Sequence, residues 1–268
     1  MAVQSQAFNT GAAVPWARPG VGVVATQSQT DRRYGYRGLE LLAAGRRPED
    51  VLAELLGVDE LAPFRQVAML DASGRTAQHT GANCIPHAGQ AHGDHWAAQG
   101  NMLAADAWLA MGSAFEAAPG PLAGRLLAAL EAAEAEGGDW RGRGGAALIV
   151  VPADGEPWER VVDLRVEEGD DSLVELRRLV ARAEGYRAAN RASPAAPVAA
   201  AAGLPDQYVT WLAVVDAAGA GDLALARRLL DELAADRPLY REAVRSLSHH
   251  PELRALAPLL EDSGQPSM

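Results

Sequence analysis

Apolar and polar positions alternate from Ala2 to Gln6, and an apolar run from Val21 to Ala25 closes on Thr26-Gln27; both stretches read as strands, the second buried on both faces. A helical period then takes over. Leu39, Leu41 and Leu42 mark a helix over Tyr34 to Ala44 that stops at Gly45. Pro48 opens another over Glu49 to Leu56, with acidic residues in its first turn and Gly57 at its end. Gln66 to Leu70 and Arg75 to Thr80 are predicted strands joined by Asp71-Ala72-Ser73-Gly74, a hairpin loop with Gly where a positive φ is wanted. A further strand is predicted over Trp96 to Gln99. Helices follow over Asp106 to Ala117 and Pro121 to Glu136, the second striped by Leu122, Leu126, Leu127 and Leu130 and ended by Gly137-Gly138. Ala146 to Val151 and Val161 to Val166 are predicted strands, and Leu173 to Ala183 a helix. Strands thus come in antiparallel-compatible runs separated by helix pairs, which predicts an α+β domain with helices on the outer faces of stacked sheets.

The pattern lapses between Arg191 and Gly203, where Ala and Pro predominate without a period, so residues 189–203 read as a linker between a domain over 1–188 and a second over 204–268. The second is all helical: Asp206 to Ala217, Asp222 to Ala235 with Asp222 as N-cap, Pro238 to Leu247, and Pro251 to Leu260.

Composition narrows the function classes. A net charge of −11 opposes binding to a phosphate backbone, so no nucleic-acid partner is expected. All 24 basic residues are Arg, which excludes a catalytic lysine, and the single Cys84 excludes an intrachain disulfide. No apolar run is long enough for a membrane span, and Met1 to Gln6 has neither a basic nor an apolar leader region; a cytoplasmic chain as given, with no membrane partner, is expected.

His79, His87, His92 and His95 are close in sequence, but their spacing matches no ligand motif and no metal is expected there. Cys84 reads as a small apolar residue. No cofactor is expected, since the glycines around Val21 precede a strand and not a helix. More telling are polar residues that interrupt apolar or Gly-rich stretches: Ser5, Thr26-Gln27, Gln99-Gly100-Asn101 and Gly138-Asp139-Trp140-Arg141. Strand-terminal polar groups can converge on one sheet edge, where amides donate to an oxyanion and Asp and Arg orient a substrate.

These same segments resemble the bacterial "domain of unknown function 1028" family, from Ala2 to about Arg182. The resemblance rests on Ala2-Val3-Gln4-Ser5, Val14-Pro15-Trp16-Ala17, Gly20 to Gln27, Tyr34-Gly35 with Gly38, and His79-Thr80-Gly81 with Cys84. It continues through Gln99 to Leu103, Gly137-Gly138-Asp139 with Arg141-Gly142, Ala146-Ala147-Leu148 and Asp163 to Val166. It implies a four-layer αββα sandwich of the N-terminal-nucleophile hydrolase type, and with it an amide-bond hydrolase acting on a small-molecule or peptide-like substrate, as a homo-oligomer. On that reading Ser5, Thr26, Asn101, Asp139 and Arg141 are the catalytic candidates, and Gln27 and Gln99 the substrate-binding ones. The helical segment from Gly203 resembles a peptidoglycan-binding-like module.

Three departures from the family pattern accompany the resemblance. The family's first strand, which carries the nucleophile, is not encoded before Ala2, so the authentic start is expected about 15 to 25 residues upstream. His87 stands where relatives carry Trp, and Gly144-Gly145 where a polar pair is expected, which predicts a lost site contact. A non-catalytic ligand-, cell-wall- or partner-binding protein of the same fold is the alternative reading.

Overall fold

The computed structural model describes residues 1–260. The chain divides into two compact units, Met1–Val180 and the segment from Ala181 onward.

The first unit is a mixed α+β structure with antiparallel sheets. One sheet has the order β1-β8-β9, from Ala2–Ser5, Gly145–Val150 and Val162–Val166. Its register, with Ala2 opposite Leu148 and Ser5 opposite Gly145, brings together segments from opposite ends of the unit. A second sheet, β2-β3-β4-β5, is a meander of Pro15–Arg18, Gly22–Ser28, Arg65–Asp71 and Thr76–Thr80. A two-stranded ladder, β6 (Gly89–Gly93) with β7 (Trp96–Gly100), completes the strands.

Packing follows the hydrophobic periods. Helices α1 (Arg32–Ala43) and α2 (Pro48–Gly57) bury Leu39, Leu42, Val51 and Leu52 against Val24, Val67 and Met69 of the meander. Helices α3 (Ala107–Ala117) and α4 (Leu122–Ala135) precede β8, and α5 (Ser172–Arg191) follows β9. Leu127 and Leu130 of α4 and Leu173 and Leu176 of α5 bury Leu148, Val162 and Val166 of the three-stranded sheet. The other side of that sheet meets the meander through Val3, Ala147, Val14 and Ala25. Gly137 and Gly138 end α4 as the sequence predicts: the Gly138 N–H donates to Ala133 O at 3.0 Å and Gly137 N–H to Glu134 O at 2.9 Å, a Schellman pair with both glycines at positive φ.

Two strands escaped the sequence reading. β2 begins with Pro15, which an edge position tolerates, and β6 (Gly-Gln-Ala-His-Gly) has no apolar alternation and owes its form to backbone pairing with β7. The histidines do not assemble: His79 Nε2 is bonded to Ala62 O at 2.8 Å, and His87, His92 and His95 are exposed. Among the described residues no group of three or more His, Cys, Asp or Glu is placed to hold a metal ion, and no helix is long and apolar enough to cross a membrane.

In the second unit the expected linker is ordered structure. Pro197 lies in the first turn of α6 (Ala196–Ala201), and alanines propagate it. The Asp216 carboxylate accepts the N–H groups of Ala195 at 3.0 Å and Ala196 at 2.7 Å, so α7 caps the start of α6. Ala189, Ala199 and Leu204 pack with Tyr186 and Leu212. The boundary between the two compact units falls within α5, at 180/181. α7 (Asp206–Gly219), α8 (Leu223–Asp236) and α9 (Leu239–Leu247) follow, with Asp222 capping α8 through Leu225 N at 3.0 Å. Pro251–Leu260, expected as a helix, is a 3₁₀ helix containing Pro258, which has no N–H to donate. Residues 261–268 of the expected helical domain lie outside the described residues.

Candidate functional site

Strand period decides which polar residues can meet. Along β3, Val24 and Thr26 face the α1/α2 core while Val23, Ala25 and Gln27 line a cavity of about 430 Å3 on the other side. Thr26, expected in the site, is fully buried on the wrong face. Its Oγ1 donates to Asp31 O at 3.1 Å and accepts from Asp31 N at 3.3 Å, fixing the entry to α1. The other six candidates, Ser5, Gln27, Gln99, Asn101, Asp139 and Arg141, all line the one cavity.

At one end, β1 and the turn after α4 bring Ser5 to Arg141. Arg141 Nη2 donates to Ser5 Oγ at 3.2 Å, and the Asp139 carboxylate holds the guanidinium through Nε at 2.9 Å and Nη2 at 2.6 Å. Asp139 also accepts the backbone N–H of Arg141 and of Gln6. These contacts consume the carboxylate's acceptor capacity, so Asp139, with a side chain 5% exposed, positions Arg141 and is not itself presented to a ligand. The turn is tied to the loop after β7: Leu103 bridges Asp139, Ala104 N–H donates to Gly138 O, and Trp140 N–H to Met102 O.

Ser5 Oγ also accepts the Ala7 N–H, and among the described residues no imidazole or carboxylate accepts its proton. The Met1 amine cannot serve: it donates to Ile149 O at 2.7 Å, four residues along β1 and so about 13 Å from Ser5. Nor is there space for the polar pair expected at Gly144-Gly145, because a Cβ at Gly144 would stand 2.5 Å from Gln6 O and one at Gly145 2.8 Å from Ala7 O.

A residue the sequence reading passed over organises the carboxamides. Gln66, fully buried on β4, places Nε2 within 2.8 Å of Gly100 O, 3.1 Å of Gly89 O and 3.0 Å of Thr80 Oγ1. Two backbone carbonyls fix that atom as nitrogen, so Oε1 must accept. It does so from Gln27 Nε2 at 2.8 Å and Asn101 Nδ2 at 3.1 Å. The signal was legible in principle as one polar residue opening the apolar run Val67-Ala68-Met69-Leu70. Three non-glycine residues in left-handed backbone, Ser28 at φ 64, His95 at φ 63 and Met102 at φ 58, also line the cavity, a conformation that costs energy and recurs at functional sites. Met111 and Phe115 of α3 and Leu122, Leu126 and Leu130 of α4 form an apolar wall. Cys84 is outside this lining and donates its thiol hydrogen to Arg65 O at 3.2 Å.

A polar end with one oriented cation, a set of carboxamides and an apolar wall can bind an uncharged polar group on an apolar body. The model of a family of unknown function, DUF1028, matches residues 1–176. A crystal structure of a Silicibacter pomeroyi protein carrying the same family model is similar, with 30% identity over 68% of this chain and 81% of that one and a TM-score of 0.62. No curated protein matches the chain.

Proposed function

The chain belongs to the family of unknown function DUF1028, and we propose that it is an N-terminal-nucleophile-type hydrolase-like protein whose cavity receives an amide substrate. The observation that carries this reading is the convergence of Ser5, Arg141, Gln27, Gln99 and Asn101 on a single cavity with an apolar wall. Two sheets meeting through Val3, Val14, Ala25 and Ala147, with α1 and α2 outside one and α4 and α5 outside the other, suit the αββα sandwich of that hydrolase type.

In such hydrolases a hydroxyl or thiol at a mature N-terminus attacks the amide carbonyl, and its own α-amine takes the proton and passes it to the leaving amine; water then cleaves the acyl-enzyme. Arg141 and the second Nδ2 hydrogen of Asn101 are suited to stabilising the oxyanion, while Ser5, which has no base, orients the reacting groups. The same lack of a base on Ser5 favours the second reading, a ligand-binding protein of this fold without turnover. A panel of fluorogenic amides incubated with the protein carrying the family's first strand, and with Arg141→Ala in the same form, separates the two. Turnover that falls by about two orders of magnitude in the variant supports the hydrolase. Saturable binding with no product release in either protein leaves the binding reading.

For the second unit the proposal is a binding module for cell-wall glycan. Trp211 and Tyr240 stack with ring centroids 5.8 Å apart beside Tyr208, along a groove that also includes Gln207. Such faces suit sugar rings. Co-sedimentation of the full chain with purified peptidoglycan, lost in Trp211→Ala, is the expected result; equal sedimentation of both proteins would remove the proposal.

A further inference from the structure

One side chain in the cavity has all its hydrogen-bonding groups unspent. Gln99, on β7, lines the cavity with both Oε1 and Nε2 buried and without a partner. Because both atoms lack a partner, interchanging them leaves the conclusion the same. Ser28 Oγ, on the same lining, is likewise buried and unpartnered. Protein interiors seldom leave such groups unsatisfied, so two of them on one cavity point to a ligand. The neighbouring carboxamides are already engaged, since Gln27 and Asn101 both donate to Gln66 Oε1. The charges are engaged too, with Arg141 paired to Asp139 at 2.6 Å.

These facts restrict the ligand. A carboxylate offers only acceptors and brings a negative charge toward Gln99 Oε1. An ester accepts from Nε2 but leaves Oε1 unpaired. A carboxamide offers a carbonyl and an N–H side by side, which match the donor and the acceptor of one Gln side chain. The wall of Met111, Phe115, Leu122, Leu126 and Leu130 requires an apolar body behind that group.

We infer that the cavity selects a neutral carboxamide carried on an aliphatic chain, and that Gln99 reads the amide, Nε2 donating to its carbonyl and Oε1 accepting its N–H. The inference rests on the amide-substrate reading above and narrows it to a substrate class.

Titration calorimetry of the full chain with octanamide, octanoate and methyl octanoate tests it, with ammonia release followed in the same samples. Octanamide is expected to bind at least about tenfold more tightly than the other two, because a site built to hydrogen-bond both groups discriminates against analogues that lack one. Gln99→Met, matched in size, is expected to erase that preference while leaving the thermal midpoint nearly unchanged. If Gln99→Met does not fold, Gln99→Glu keeps volume and acceptors but loses the donor, and is expected to weaken octanamide binding by a similar factor. Equal binding of the three ligands, binding of none, or a preference that survives in the variants overturns the inference. Amide preference without ammonia release upholds it and favours the ligand-binding reading over the hydrolytic one. Ammonia release with a KM unchanged in the Gln99 variants does the reverse.

Discussion

Arg141 reaches across 136 positions of sequence to donate from Nη2 to Ser5 Oγ at 3.2 Å. The link ties the end of β1 to the turn after α4 and sets the polar end of the cavity. Arg141 is held there by Asp139, whose side chain is 5% exposed against 31% for Arg141. Replacing Arg141 by Ala strands a mostly buried carboxylate, and a loss of about 1–2 kcal/mol is expected, the partial exposure of Arg141 limiting the cost. Chemical denaturation of Arg141→Ala, Asp139→Ala and the double variant checks this. The double variant is expected to be less destabilised than the sum of the singles, and strict additivity would dissolve the pair.

Gln66→Leu removes the acceptor of Gln27 and Asn101 and the donor to Gly89 and Gly100 carbonyls at once. A destabilisation on the order of 2–3 kcal/mol is expected, since buried partners are left unpaired. Hydrogen exchange is expected to quicken locally around Gly100 and Asn101. Protection unchanged there would mean the network does not hold the loop.

Thr26→Val and Gln27→Met test the two faces of β3. The first removes the hydrogen bonds to Asp31 and is expected to cost about 1 kcal/mol with ligand binding unchanged. The second, on the cavity side, is expected to alter ligand affinity with a smaller effect on stability. Calorimetry and thermal unfolding of both proteins decide the matter, and the opposite pairing of effects would show that the faces are assigned wrongly.

Acid sensitivity is expected from Asp59. The Arg65 guanidinium, bonded through Nε at 2.7 Å, chiefly holds its carboxyl down at about 2, against an ordinary 3.8, with Leu61 N–H and the Tyr34 hydroxyl adding to the effect and burial opposing it. Burial first, and the Asp59 hydrogen bond next, push Tyr34 up. A carboxyl whose pKa is lower in the folded state contributes stability that is complete above about pH 4 and is lost as pH falls toward 2, on the order of 2 kcal/mol. Unfolding free energies from about pH 6 to pH 2.5 should fall less steeply for Asp59→Asn than for the parent. Parallel curves would assign the acid response elsewhere.

Asp216→Ala uncaps α6. Two N–H groups lose their acceptor, and a loss of about 1–2 kcal/mol is expected in the unfolding of the second unit. Limited proteolysis supplies the second reading, with new cleavage expected within 191–203 in the variant.

Much of this was legible from neighbouring residues. The strand at Val21–Ala25, the Gly137-Gly138 stop of α4, the Gly74 turn and the Asp222 cap are each set by signals that act within a few positions, which is why residue order alone determined them. The candidate site was half legible, because polar residues at strand ends stand out against apolar runs. Tertiary structure decided the rest. Thr26 and Gln27 are adjacent in sequence, and only the packing of α1 and α2 on one face of β3 sent Thr26 into the core and Gln27 to the cavity. Gln66 became a hub through contacts with Gly89, Gly100 and Asn101, up to 35 positions away, and Arg141 met Ser5 only through the β1-β8 pairing. β6 and α6 took shape from a pairing strand and from the Asp216 carboxylate, neither of which leaves a mark on the local sequence. A local pattern fixes an element because its hydrogen bonds close within or beside it, whereas a site is fixed by which faces the remaining packing leaves free.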